Sequence, residues 1–153
     1  THRRRIILDI NSLLYDNTKE EILAAISQMK DSDLLYIYAD HYNWDDGFEI
    51  PQAILKHNLC NLSIALLIFY RADGDTFLMN KSDNQDQTVW YSFVKNLYES
   101  IVEGAYQKTD IQFKPPLTKV QLYKLKKVLS DQELIFIETI EGKDLDNFLP
   151  IVE

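Results

Sequence analysis

One stretch constrains this chain more than any other: Leu62-Ser63-Ile64-Ala65-Leu66-Leu67-Ile68-Phe69-Tyr70-Arg71-Ala72. Wound at 3.6 residues per turn it is apolar on nearly every side, so it reads as the central buried helix, enclosed by others. Asn61 stands just before it, where a side-chain oxygen can accept a free N–H of the first turn. The unbroken apolar part, Ile64 to Tyr70, falls far short of the roughly 20 residues that span a bilayer. Four glycines and four prolines in 153 residues leave few turn residues for a β-rich fold. The expectation is an all-α fold, or a mainly α fold with a minor strand element. It should form a single domain over 1–153 built of antiparallel helix pairs, long enough to bury a core without disulfides.

Apolar spacing places the partners of the central helix. Ile6, Ile10, Leu13 and Leu14 share one face and predict a helix over 4–15. Asn17-Thr18-Lys19-Glu20 reads as a capping box, with Asn17 as the cap and Glu20 reaching back, before the stripe Ile22, Ala25, Ile26, Met29. Asp31-Ser32-Asp33 starts a helix that carries Leu34, Leu35, Ile37, Tyr38 and Tyr42. Asn43 to Gly47 reads as a turn. Pro51 then suits the first turn of a helix that ends near His57 and Asn58. The polar stretch 73–87 reads as a loop. A long helix is expected from Thr88 to Gln107, and a basic amphipathic one after Thr118, with Val120, Leu122, Leu125, Val128 and Leu129 inside. Residues 134–140, rich in β-branched side chains, suit either a strand or a buried helix, and periodicity does not decide between them.

A shift of 28 residues lays Glu21-Ile22, Ala25, Ile26 and Leu34 on Glu49-Ile50, Ala53, Ile54 and Leu62. Stacked helix pairs, as in helical-repeat proteins, would read this way, although any two amphipathic pairs match at some offset. Charge is also unevenly spread. The net is +1 over 1–30, −7 over 31–86, +4 over 87–127 and −6 over 128–153, for −8 in all. This balance argues against nucleic acid as a direct ligand, because phosphate binding rests on Lys and Arg. The blocks suit either pairing within the chain or an acidic face for a basic partner.

Catalytic signatures are absent. One cysteine, Cys60, excludes a disulfide framework, and His57-x-x-Cys60 lacks the second pair that a zinc site needs, so no metal and no cofactor are expected. His41 and Asp45 as a base and its orienter, with Cys60 as nucleophile, make a hydrolase reading that no surrounding motif supports. The densest carboxylates are Asp45, Asp46 and Glu49, followed by Asp73 and Asp75. Helix capping accounts for them, with Asp45 or Asp46 capping the helix begun near Glu49; an acidic binding surface accounts for them too. Nine tyrosines and two tryptophans exceed what a core needs, so some of Tyr36, Tyr38, Tyr42, Trp44 and Tyr91 are candidates for exposure.

His41-Tyr42-Asn43-Trp44-Asp45-Asp46-Gly47-Phe48-Glu49-Ile50-Pro51 is followed by Ile54-Leu55-x-His57, Cys60-Asn61-Leu62, Ala65-Leu66-x-Ile68-Phe69-Tyr70 and Ala72-Asp73-Gly74. Together they resemble a bacterial domain-of-unknown-function family with a Tyr-Asn-Trp-Asp-Asp-Gly turn and a His-Pro-x-Cys-Asp helix junction. The resemblance covers about residues 34–80. Here Asn58 and Leu59 replace the Pro-rich junction, and Asn61 stands where Asp is usual. The resemblance implies a mostly helical domain and no activity. Small acidic bacterial proteins without catalytic motifs also resemble, as a class, immunity proteins of contact-dependent growth inhibition. The leading expectation is therefore a cytoplasmic, non-enzymatic immunity protein. It would bind a cationic toxin domain such as a nuclease through Tyr42, Trp44, Asp45, Asp46, Glu49, Asp73 and Asp75, with no membrane partner. A helical-repeat interaction scaffold is the alternative. The apolar segment after the N-terminal arginines is too short for a signal peptide's core of about 7–15 residues, which underlies the expected cytoplasmic location.

Overall fold

The computed structural model describes residues 17–80 and 88–146, so the helix expected over 4–15 lies outside the described residues. The fold is all-α. Seven α-helices are described: α1 (Lys19–Ser27), α2 (Ser32–His41), α3 (Glu49–Lys56), α4 (Leu62–Arg71), α5 (Gly74–Met79), α6 (Val89–Val102) and α7 (Lys119–Val128). Two 3-10 helices, Trp44–Asp46 and Asp131–Phe136, join them. Sheet-like pairing among the described residues is limited to two isolated bridges, Ile111 with Lys143 and Phe113 with Ile140.

Helix α4 is the centre. Every residue from Leu62 to Tyr70 is buried, Ser63 included, and Asn61 caps the helix by accepting from the Ile64 N–H at 3.0 Å. The Ser63 hydroxyl is satisfied by donating to the Ile111 carbonyl at 2.7 Å, as a buried hydroxyl must be. Around α4 the directions are set by contacts at both ends. Arg71 donates to the Asp40 carbonyl at 2.7 Å, so the C-termini of α2 and α4 lie together. Lys143, bridged to Ile111, binds Asp33 at 2.7 Å, so their N-termini lie together too. The two helices are parallel, and the repeat's second members therefore stack side by side. Its first members do the same: α1 packs on α3, with Lys19 and Glu49 paired at 3.5 Å at their N-termini. Helix α6 runs antiparallel to α4. Trp90 Nε1 donates to the Ala72 carbonyl at 2.6 Å at one end, and Leu62 N–H donates to Gln107 O at 2.8 Å at the other.

Several boundaries differ from the sequence reading. The first capping box is Thr18 with Glu21, one residue on from Asn17 and Glu20. Helix α2 stops at His41, and Tyr42 turns extended so that its hydroxyl donates to the Gly47 carbonyl at 2.8 Å. The expected turn at Asn43–Gly47 winds into a 3-10 helix capped by Asn43, and Gly47 leaves it at φ 94°, a conformation open to glycine. Within 73–87, residues 74–79 form α5 rather than loop, because Asp73 adopts a left-handed conformation (φ 60°) that folds Phe77 and Leu78 inward. Helix α6 ends at Val102, short of Gln107, where Gly104 takes φ 83°. Val120 and Val128 of α7 are exposed rather than inside, and only Leu125 of that helix is buried. Residues 134–140 are neither strand nor α-helix. They end a 3-10 helix at Phe136 and then place Ile140 opposite Phe113.

The irregular C-terminal part is held by polar side chains reaching the core. Tyr70 donates to the Phe136 carbonyl at 2.5 Å, Tyr36 to Asp146 at 2.7 Å and Tyr98 to Glu133 at 2.5 Å. Phe69, Phe136 and Tyr98 stack in sequence beneath them. Buried apolar side chains from Ile22 to Leu145 form one cluster.

Candidate functional site

The parallel arrangement of α2 and α4 decides what happens to the acidic residues. Asp45, Asp46 and Glu49 follow α2, and Asp73 and Asp75 follow α4, so both groups come to the same end of the bundle. The N-terminus of α6 joins them there through Trp90 and Ala72. Asp45, Asp46, Glu49 and Asp73 are exposed and Asp75 is half-buried.

Side-chain capping does not account for Asp45, Asp46 or Asp73. Helix α3 begins at Phe48 without a side-chain cap, so neither Asp45 nor Asp46 serves it. Asp73 precedes α5 and makes no side-chain cap either. Asn43 supplies the local cap, accepting from the Asp45 N–H at 3.0 Å. Of the five, Glu49 has an ion pair, with Lys19 at 3.5 Å. That pair is solvent-exposed and worth little.

The aromatic residues divide. Tyr36, Tyr38 and Tyr42 are buried, whereas Trp44 and Tyr91 are half-buried. Tyr42 is therefore not available as a surface anchor; its ring packs edge-on against Trp44 with centroids 5.5 Å apart. Burial, with Asp46 and Glu49 adding to it, pushes the Tyr42 hydroxyl up to about 12. Trp44 also meets Phe48 and Phe93, which tie the turn to α6. Its indole N–H is enclosed with no acceptor among the described residues. Sequence reasoning missed Trp90 as a member of this end. Only the packing of α6 on α4 brings its indole to the Ala72 carbonyl.

The residues of the hydrolase reading are separated. Cys60 precedes the N-terminus of α4 and His41 lies beside its C-terminus, about 15 Å apart at 1.5 Å per residue over ten residues. Burial pushes the Cys60 thiol up to about 12, away from the thiolate that a nucleophile requires. His41 Nδ1 lies 3.0 Å from the Ile37 carbonyl, and His57 Nδ1 accepts from the Leu59 N–H at 3.0 Å, so both rings serve helix ends. Among the described residues no group of His, Cys, Asp and Glu is placed to hold a metal ion. No described helix is long and apolar enough to cross a membrane.

Residues 30–102 match the family model described as Domain of unknown function (DUF4274). The DUF4274 match runs beyond the 34–80 stretch that carried the resemblance, taking in α2 to α6 and so the whole acidic end. Both carboxylate groups, Trp44 and Trp90 lie within the DUF4274 region, while α1 and α7 lie outside it. No curated protein and no solved structure matches the chain.

Proposed function

We propose that this protein is an immunity protein that neutralises a cationic toxin domain by one-to-one association through its acidic end. The observation that carries the reading is that Asp45, Asp46 and Asp73, distant in sequence, converge at one end and are not used as helix caps. Carboxylates so placed stand in for phosphate toward the Arg and Lys of a nuclease groove, and opposite potentials speed encounter and exclude wrong partners. The exposed part of Trp44 supplies apolar contact beside them, with Trp90 at the neighbouring edge. The test is survival of bacteria expressing the C-terminal toxin domain encoded beside this gene, with and without the protein. Relief of toxicity that is lost in the Asp45→Asn/Asp46→Asn/Asp73→Asn variant supports the reading. The association rate should fall about tenfold or more on raising salt to about 0.5 M. Toxicity unchanged by co-expression sinks it.

The second reading is a helical-repeat scaffold, favoured by the stacking of α1 on α3 and α2 beside α4. It predicts a partner without excess positive charge and an affinity that salt leaves unchanged.

A further inference from the structure

Helix α7 is the least buried of the described α-helices: of its ten residues Leu125 alone is buried. Val120 and Tyr123 are 62% and 61% exposed, and Val128 of the same helix is exposed too. Met79, on neighbouring α5, is a fourth large exposed apolar residue. Concentrated exposure of this kind marks an interaction surface. Lys119, Lys124, Lys126 and Lys127 stand among these side chains, and α7 contains no acidic residue. Lys127 lies over the Tyr123 ring at 4.2 Å; none of the four has an ion pair among the described residues.

The acidic corner at Asp73 and Asp75 lies immediately beside this basic helix. Asp75 and Lys124 line one open cleft of about 270 Å³ between α5 and α7, yet they form no ion pair. A face that sets an unpaired base beside an unpaired acid, next to exposed apolar side chains, can be complementary to itself after a two-fold rotation. In such an interface residue i of one copy meets residue j of the other and the reverse, so each contact is made twice.

We infer that the α5–α7 face is the interface of a homodimer, in which Lys124 of each copy faces Asp75 of the other around a centre of Val120, Tyr123 and Met79. Nucleic acid fits less well, because the acidic corner borders the lysines and the chain carries −8 overall. An anionic membrane meets the same repulsion. The inference does not rest on the toxin reading. Where both hold, toxin and second copy compete for Asp75.

The test is the mass in solution by sedimentation or light scattering, at low salt and across concentration. The expected result is a shift from one chain of 18.0 kDa toward two as concentration rises, with a dissociation constant at least about tenfold higher at about 0.5 M salt. Lys124→Glu alone and Asp75→Lys alone should each be monomeric, since each sets like charges face to face twice. Their equimolar mixture should form a heterodimer, because both contacts are then between opposite charges. A pairing within one chain cannot produce that rescue. Lys124 is exposed and Asp75 half-buried, and circular dichroism of each variant checks that it folds. Tyr123→Ser, which leaves the charges in place, should also weaken the dimer. A wild-type chain that stays monomeric throughout overturns the inference, whether or not it binds duplex DNA or anionic vesicles. So does a dimer that survives both reversals. Neither result alters the survival assay above.

Discussion

Helices α4 and α7 are each ten residues long, each opens on a side-chain cap, and they differ in nearly everything else. Nine residues of α4 are buried and one of α7 is. The lesson is that a cap and a helical period establish that a helix forms, whereas its share of the core depends on how many neighbours reach it. Helix α4 meets α2, α3, α5 and α6, whereas α7 rests against α5.

Thiol chemistry gives the widest separation between the two regions. Cys60, at the entrance to α4, should react with iodoacetamide at pH 8 about 10³-fold more slowly than an ordinary thiol, since its value of about 12 leaves little thiolate. Val128→Cys in a Cys60→Ser background should react at the ordinary rate. Equal rates would break the comparison and return Cys60 to the candidate nucleophiles.

Core truncation comes next. Phe69→Ala, which empties a fully buried site stacked on Phe136, should cost about 3–5 kcal/mol of unfolding free energy, whereas Val128→Ala should stay within about 0.5. Gly74→Ala belongs with the first. A Cβ there would overlap the Phe69 ring and come within 2.6 Å of its carbonyl oxygen, so a loss of about 2 kcal/mol or more is expected. Denaturant midpoints decide all three. Thr118→Ala removes the cap of α7, worth about 1 kcal/mol, and hydrogen exchange should show the loss in α7 with α4 unaffected.

The smallest effect is in pH. Burial holds the Asp40 carboxyl above the usual carboxylate range, although the Arg71 guanidinium pulls it down. The folded chain therefore takes up this proton more readily than the unfolded one, and ionising the group costs stability. That contribution should make stability fall as pH rises from about 3.9, the unfolded value, through the raised folded value. Asp40→Asn should flatten this part of the profile. An opposite slope would mean that the Arg71 contact outweighs burial.

Much of the fold was legible locally. Asn61, Asp31 and Thr118 cap the helices they precede, and the all-apolar run became the central helix. The 28-residue match became two stacked helix pairs. The misplacements occurred where backbone and long-range contacts compete with pattern. The left-handed Asp73 created α5 inside a polar stretch, and Gly104 ended α6 early. The site was legible as a set of carboxylates but not as a place. Asp45 and Asp46 looked like caps for α3, and Tyr42 like an anchor, but α3 opens without a side-chain cap and Tyr42 is buried with its hydroxyl on the Gly47 carbonyl.

Sequence by itself located α1 to α4, α6 and α7 and marked the one that must be enclosed, because caps and apolar periodicity act within a few residues of each other. Tertiary structure alone decided that Asp45 and Asp73 share an end, that Trp90 joins them, and that α7 is left uncovered. The first of these depends on the parallel register of α2 and α4, which is set by contacts such as Arg71 with Asp40 and Lys143 with Asp33 between residues distant along the chain.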